Sequence, residues 1–291
     1  MAKRAIKHLL KAKDGIDGAG VKMRSVSPSD YSLLDPFVEV DEVESNNPED
    51  FFAGFPPHPH RGSEFLTYIR KGEMRHSDSL GNTGHLKNGD MQYMCSGSGA
   101  LHSEMPAPNK QGLHVFQLWI NLPQSHKLCE PWYVDMRSEV SPTVVSTNVK
   151  AVLLVGELCL EGKTVSKQLG ESEAAKRSSR KTVADLSINA NKKVNLTLPK
   201  SHKEIVYVHS GQLRMAGQNI KKNELAILSS GEELEIICQQ QKAGILIMVG
   251  EPLNEPVVRG GPFVMNSKAE IQKAFTDYQS GKFGQVKRQT V

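Results

Sequence analysis

Two short words in the sequence could do chemistry: His58-Pro59-His60 and, further along, His102-Ser103-Glu104. Side chains alternate faces along an extended chain, so His58 and His60 point to one side, and His102 and Glu104 also share a side. Pro59 keeps the first pair extended and removes a backbone donor. If both faces turn into one small barrel, three imidazoles and one carboxylate converge. That donor set suits Fe, Mn, Ni, Cu or Zn far better than Mg or Ca, which prefer oxygen ligands. On an octahedral ion, four protein ligands leave two positions for substrate, oxygen or water. A lone His-x-His is weak and is more often an accident of a polar turn. Here the glycine-rich Gly97-Ser98-Gly99 leads into the His-x-Glu, and the combination is strong.

The elements that must position these residues are short strands. Residues 64–69, 151–155, 193–198, 204–208, 224–228, 233–237 and 244–248 are rich in β-branched and other apolar residues, and many are bounded by Gly, Pro, Asn or Ser. That pattern argues for an all-β sandwich or barrel. An internal repeat adds to it. Residues 67–75 align without gaps on 206–214, and 88–94 match 222–228 in the same order, so two similar β-domains are expected. The polar stretch 137–148 is the natural boundary, giving an N-terminal domain 1–140 and a C-terminal domain 141–291. The repeat sets Ile236 opposite His102 and Cys238 opposite Glu104, with Thr197 and Pro199 near the slots of His58 and His60. One metal per chain is therefore expected, in the first domain only. Ser267-Lys268-Ala269-Glu270 is a capping box and opens a helix over 267–280. Ile271, Ala274, Phe275 and Tyr278 fall on its docking face. The charged stretch 171–181 reads as a loop.

Composition narrows the function classes. The 291 residues are 38 % hydrophobic and 23 % charged, with a net charge of +4, as for a folded globular chain. A nucleic-acid binder concentrates Lys and Arg far more strongly, so no direct nucleic-acid partner is expected, and the basic cluster 176–181 reads as a solvated loop. The four cysteines form no CxxC pair and read as reduced thiols of a cytosolic protein. Cys95 reads as an inert buried thiol, with a redox-sensitive thiol near the metal as the alternative. The first residues lack the apolar core of a signal peptide, and the apolar run 243–249 is too short to span a bilayer. A soluble, cytoplasmic monomer without membrane contact is the expectation.

The spacing resembles the two motifs of the cupin superfamily, in which Glu64 would fill the usual glutamate slot. The flanking words His58-Pro59-His60-Arg61-Gly62, Gly89-Asp90-Met91-Gln92-Tyr93-Met94 and His102-Ser103-Glu104-Met105-Pro106 resemble pirins specifically. Leu34-Asp35-Pro36-Phe37 and Gly261-Pro262-Phe263-Val264-Met265-Asn266 do so too, and the likeness runs from about Gly18 to Gly284. The resemblance implies two cupin barrels with a short C-terminal helix. It implies one mononuclear divalent metal, Fe(II) first, with Mn, Ni, Cu or Zn as alternatives, on His58, His60, His102 and Glu104. Glu64 would then stand behind the ligands. The resemblance also implies quercetin 2,3-dioxygenase chemistry on a small polyphenol with dioxygen, with Glu104 as the base. The alternative it allows is an iron-binding regulator of a transcription factor or metabolic enzyme. Ser63, Tyr93 and Cys95 depart from the family pattern beside the site, and the hairpin at Lys71-Gly72-Glu73 is shorter, so the substrate is expected to differ.

Overall fold

The β-branched runs of the sequence form antiparallel strands in a computed structural model that describes residues 2–107, 112–178 and 180–286. The chain divides into two units. One comprises Met1–Ala12, Leu33–Asp35 and Glu139–Pro252, and the other Lys13–Ser32, Pro36–Ser138 and Leu253–Val291. A boundary falls near residue 140, where the polar stretch lies, but each unit is completed from the far end of the chain. The expected bounds 1–140 and 141–291 do not include these crossings at the two ends of the chain. Ile6–Lys11 adds an edge strand by pairing with Glu224–Leu228. A pairing between segments so distant leaves no trace in local periodicity.

The unit that carries the histidine words is built from two large sheets and the two-stranded pair Val258–Gly260 and Phe263–Met265. A seven-stranded sheet runs in the order Trp132–Met136, Met91–Cys95, Ser63–Lys71, Leu113–Asn121, Phe37–Ser45, Val21–Val26, Lys13–Asp17. A four-stranded sheet runs Phe55–His60, Ala100–Pro106, Met74–Asp78, Thr83–Leu86. Ser63–Lys71 and Leu113–Asn121, the central strands of the seven-stranded sheet, are buried almost end to end. The glycine turn at Gly72 is not a hairpin. Ser63–Lys71 and Met74–Asp78 pair with different neighbours, so the turn carries the chain from one sheet to the other. Gly72 holds φ at +95°, and a Cβ there would lie 2.6 Å from the Gly112 carbonyl, so only glycine fits. Gly211 repeats the device in the other unit, with φ at +69° and the Lys242 carbonyl 2.5 Å from its Cβ position. This is the structural counterpart of the sequence repeat.

The other unit is a twelve-stranded sheet around one apolar core that includes Leu153, Leu186, Val206, Ile236, Cys238 and Ile247. Lys193–Thr197 buries only its second and fourth residues, Val194 and Leu196, as a strand with one face on a core must. Within 171–181, residues Glu173–Ser178 form a helix and not the expected loop; Ser179 lies outside the described residues. The Ser172 hydroxyl accepts from the Ala175 N–H, and Lys176 and Arg177 sit in the last turn, where cations favour the helix dipole.

The C-terminal helix is Lys268–Gln279 with Ser267 as its N-cap. Its docked residues are Ile271, Ala274 and Asp277, while Phe275 and Tyr278 stay partly exposed. Asp277 takes the place expected for Tyr278 because Arg61 reaches it, Nη1 to Oδ2 at 2.9 Å. Among the described residues, no helix is long and apolar enough to cross a membrane.

Candidate metal centre

The strand Phe55–His60 lies antiparallel to Ala100–Pro106, with His58 directly opposite His102 and His60 opposite Ala100. Directly opposed residues share a face of the sheet, so the alternation that aligns His58 with His60 also brings His102 to them. Ring centroids are 4.8 Å apart for His58 and His60, 4.4 Å for His58 and His102, and 4.9 Å for His60 and His102. A register shift between His102 and Glu104 re-aims the carboxylate. On the other side of the same strand, Glu104 stands opposite His76. Two trios of donors thus converge within 4.8 Å, His58/His60/His102 and His76/His102/Glu104, and they share His102.

These residues fit a metal ion. Nδ1 of His58 lies 2.8 Å from the Pro56 carbonyl and Nδ1 of His60 lies 3.1 Å from the Pro262 carbonyl. A proton on each Nδ1 leaves Nε2 with its lone pair, the usual arrangement of a metal-bound imidazole. His102 is 1 % exposed, and neither of its ring nitrogens has a hydrogen-bond partner among the described residues. Burying such atoms unmet costs free energy that an ion would recover. Burial, then the neighbouring His58, holds the His60 and His102 imidazoles well below their ordinary range, so both are neutral at pH 7 and ready to ligate.

Glu104 Oε2 lies 4.0 Å from His102 Nε2, and Oε1 lies 3.1 Å from the Thr67 hydroxyl. That hydroxyl is also 2.5 Å from the Gln117 amide oxygen position. A hydroxyl has one proton to give. With the Gln117 amide turned to donate, Gln117 gives to Thr67 and Thr67 gives to Glu104, which fixes the carboxylate. Glu64 is not part of this group. It is next to the inward-facing Phe65, so it points to the opposite face, where it accepts from the Tyr93 hydroxyl at 2.9 Å. His76 bonds Asp78, Nε2 to Oδ2 at 3.3 Å, and also stacks on Tyr133. Its approach to His102 and Glu104 was not anticipated from sequence.

Behind the histidines, Phe65 packs on His60 at 4.2 Å between ring centres, and Trp119 meets His60 edge-on at 4.9 Å. The Trp119 indole N–H donates to Asp41 at 3.0 Å, and the Arg259 guanidinium lies 4.4 Å above the ring while pairing with Glu39. Burial, with Glu39 beside it, pushes the Asp41 carboxyl well above the usual range. Thr67, Gln117 and Trp119 were missed in the sequence, yet a signal existed. In Ser63–Lys71 and Leu113–Asn121 the inward positions are every second residue, and Thr67 and Gln117 are polar residues among apolar ones.

Space around the site has two parts. An inner chamber of about 50 Å³ is lined by His58, His60, Glu104, Thr67, Gln117 and apolar side chains such as Val43, Met74 and Val115. A vestibule of about 530 Å³ shares His58, His60, Phe55 and Trp119 with it and adds Pro56, Pro57, Pro262 and Arg259. The inner space holds small molecules only, while the vestibule is in the size range of ligand pockets, roughly 300–1,000 Å³.

Comparison with known proteins places these features. Residues 20–120 match the pirin family, and residues 183–284 match the pirin C-terminal cupin domain. The chain is similar to a Vibrio cholerae protein named "Putative quercetin 2,3-dioxygenase", at 35 % identity over 284 residues, covering 96 % of this chain and 98 % of that one. It is similar to human pirin at 32 % identity over 280 residues, covering 94 % and 91 % of the two chains. Among solved structures, a quercetin 2,3-dioxygenase from Acinetobacter baumannii superposes with a TM-score of 0.84 at 29 % identity, covering 97 % of this chain and 99 % of that one.

Proposed function

Because the chain belongs to the pirin family, we propose that it is a metal-dependent oxygenase of the quercetin 2,3-dioxygenase type, acting on a flavonol or similar polyphenol. The observation that carries this reading is that His102 joins two donor trios, His58/His60/His102 and His76/His102/Glu104, beside a largely apolar vestibule lined by His58 and His60. These four residues would hold one divalent ion, Fe(II) by family likeness, with Mn, Ni, Cu or Zn compatible with the same donors. When bound, the ion supplies Lewis-acid binding for two adjacent substrate oxygens and an electronic path between substrate and dioxygen.

The protein's own groups do the rest. Phe55, Pro56, Pro57, Pro262 and Trp119 offer flat apolar faces suited to an aromatic ring system, and a ring seated on them displaces water from the reacting atoms. Glu104, oriented by Thr67, takes the proton of the flavonol 3-hydroxyl. His58 and His60 are locked in one tautomer by the Pro56 and Pro262 carbonyls, so the geometry of the donor set is fixed before substrate arrives. Ring cleavage then releases carbon monoxide.

The test is oxygen uptake and carbon monoxide release by iron-loaded protein given quercetin and a panel of related polyphenols. Glu104→Gln should retain metal through its amide oxygen and lose ~10²–10⁴-fold in turnover, the usual cost of a missing base. A metal-bound variant with unimpaired turnover would remove Glu104 from that role. If the wild type takes up no oxygen with any flavonol, the regulatory reading, in which the protein binds a transcription factor or metabolic enzyme, replaces the catalytic one.

A further inference from the structure

Two of the four cysteines lie together at the turn that leads from Met91–Cys95 into the ligand-bearing strand Ala100–Pro106. Cys95 Sγ and Cys129 Sγ are 3.6 Å apart and neither is bridged. Cys95 ends the strand Met91–Cys95 and is fully buried, whereas Cys129 is half-buried on the segment before Trp132. Neither residue has a part in the oxygenase reading.

The surroundings of Cys129 connect it to the metal centre. Its carbonyl accepts from the Ser98 N–H at 2.8 Å, and a Cβ on Gly97 would lie only 2.2 Å from that carbonyl oxygen, so Cys129 and the 96–99 turn touch without slack. The turn in turn grips the first histidine word. The Gly97 carbonyl accepts from the Gly62 N–H at 2.9 Å, and the Ser98 carbonyl accepts from Arg61 Nε at 2.7 Å. The next residue but one, Ala100, pairs with His60, and its strand runs on through His102 and Glu104. A displacement at Cys129 therefore reaches both ligand strands through direct contacts.

We propose that Cys95 and Cys129 are a redox-active dithiol that hydroperoxides convert to a disulfide, and that the new bond displaces the 96–99 turn and loosens the metal centre. The Cys129 sulfur attacks the O–O bond of the peroxide; an S–O bond forms, the O–O bond breaks, and water or an alcohol leaves. The Cys95 sulfur then attacks the oxidised sulfur. The S–S bond forms, the S–O bond breaks, and the hydroxide leaves as water with the Cys95 proton. The two sulfurs lose two electrons and the peroxide gains them. The division of roles follows from position: the hydrogen bond to Cys129, and burial after it, push the Cys95 thiol up and keep it protonated, so the half-exposed sulfur meets the oxidant. A disulfide is about 2.05 Å long, so the sulfurs must close by about 1.5 Å, and Cys129 is the less buried of the two partners.

The coupling to the metal rests on the ligand set proposed above; the oxidation does not. Nickel-loaded protein is treated with hydrogen peroxide, then analysed by intact mass, by peptide mapping, and by the rate at which a chelator removes nickel. The expected result is a loss of two hydrogens, one cross-linked peptide joining Cys95 to Cys129, and Cys159 and Cys238 still open to alkylation. Nickel should leave the oxidised form ~10-fold faster or more, since groups that orient metal ligands typically control affinity by 10–100-fold. Dithiothreitol should restore the original rate. Cys129→Ser should release nickel like the reduced wild type and show no response to peroxide. Oxygen added to Cys129 without a cross-link would reject the dithiol, and a cross-link with unchanged nickel release would reject the coupling. Protein that binds no nickel in either state would refute the ligand set and the coupling together, while the mass result still decides the disulfide.

Discussion

His102 stands between two groups of donors, and it differs from His76, its neighbour in the second group, in what else holds it. Among the described residues, His102 has no hydrogen-bond partner on either ring nitrogen, while His76 bonds Asp78 and stacks on Tyr133. His102→Ala should therefore strip most of the metal, and His76→Ala should leave metal content nearly unchanged, as read by elemental analysis of purified protein. Equal loss in both would make His76 a ligand. The same burial makes the metal-free protein sensitive to acid. Unfolded His60 and His102 titrate near the ordinary value of 6.5, but in the fold their imidazoles resist protonation. Below that pH the unfolded chain takes up protons that the folded chain refuses, so stability is present above about 6.5 and is lost as the pH falls towards the depressed folded values. Thermal unfolding of metal-free protein across this window should show Tm falling with pH; a Tm that rises on acidification would contradict the buried neutral histidines.

At the level of elements, the metal centre is a junction of two strands and a turn, and Lys127 pins it from outside. Its side chain is buried, and its ammonium donates to the Gly62 carbonyl at 2.7 Å, to the Val264 carbonyl at 2.8 Å and to Asn121 Oδ1. Gly62 follows the first histidine word and Val264 lies in the short strand Phe263–Met265, so one side chain ties both to Leu113–Asn121. Burial pushes the amine down to about 7, yet three oxygens surround it and satisfy all three of its donors. Lys127→Met keeps the volume and deserts those oxygens, and should destabilise the protein by about 3 kcal/mol, given ~1–3 kcal/mol for each buried polar group left unmet. Urea unfolding measures this directly. A neutral result would show that the oxygens find other donors.

For the molecule as a whole, the central question is why duplication of a barrel leads to one site and not two. Among the described residues, the groups of three or more convergent His, Cys, Asp or Glu donors are the two around His102. In the other unit, Ile236 and Cys238, which align with His102 and Glu104, are packed in the apolar core, and His209 is bonded to Asp185 at 3.0 Å. One equivalent of metal per chain is the expected stoichiometry by elemental analysis and by titration of metal-free protein. Two tightly bound equivalents would overturn it.

The sequence by itself determined the β character, the duplicated barrels and the capped helix, and singled out the histidine and glutamate words as candidate donors, because each rests on a short-range rule. Alternation aligns His58 with His60, a positive-φ glycine marks Gly72 and Gly211, and Ser267 with Glu270 starts the helix. Only the tertiary structure decided what depends on partners distant in the chain. It placed Ile6–Lys11 at the edge of the other unit's sheet, and it put Asp277 rather than Tyr278 on the docked face of the helix by way of Arg61. It also brought His76 beside Glu104, set Thr67 and Gln117 behind that carboxylate, and left Cys95 and Cys129 within reach of one another. The physical reason is common to all of these. Local pattern fixes which way a side chain points, but strand register and packing, summed over the whole chain, fix what it points at.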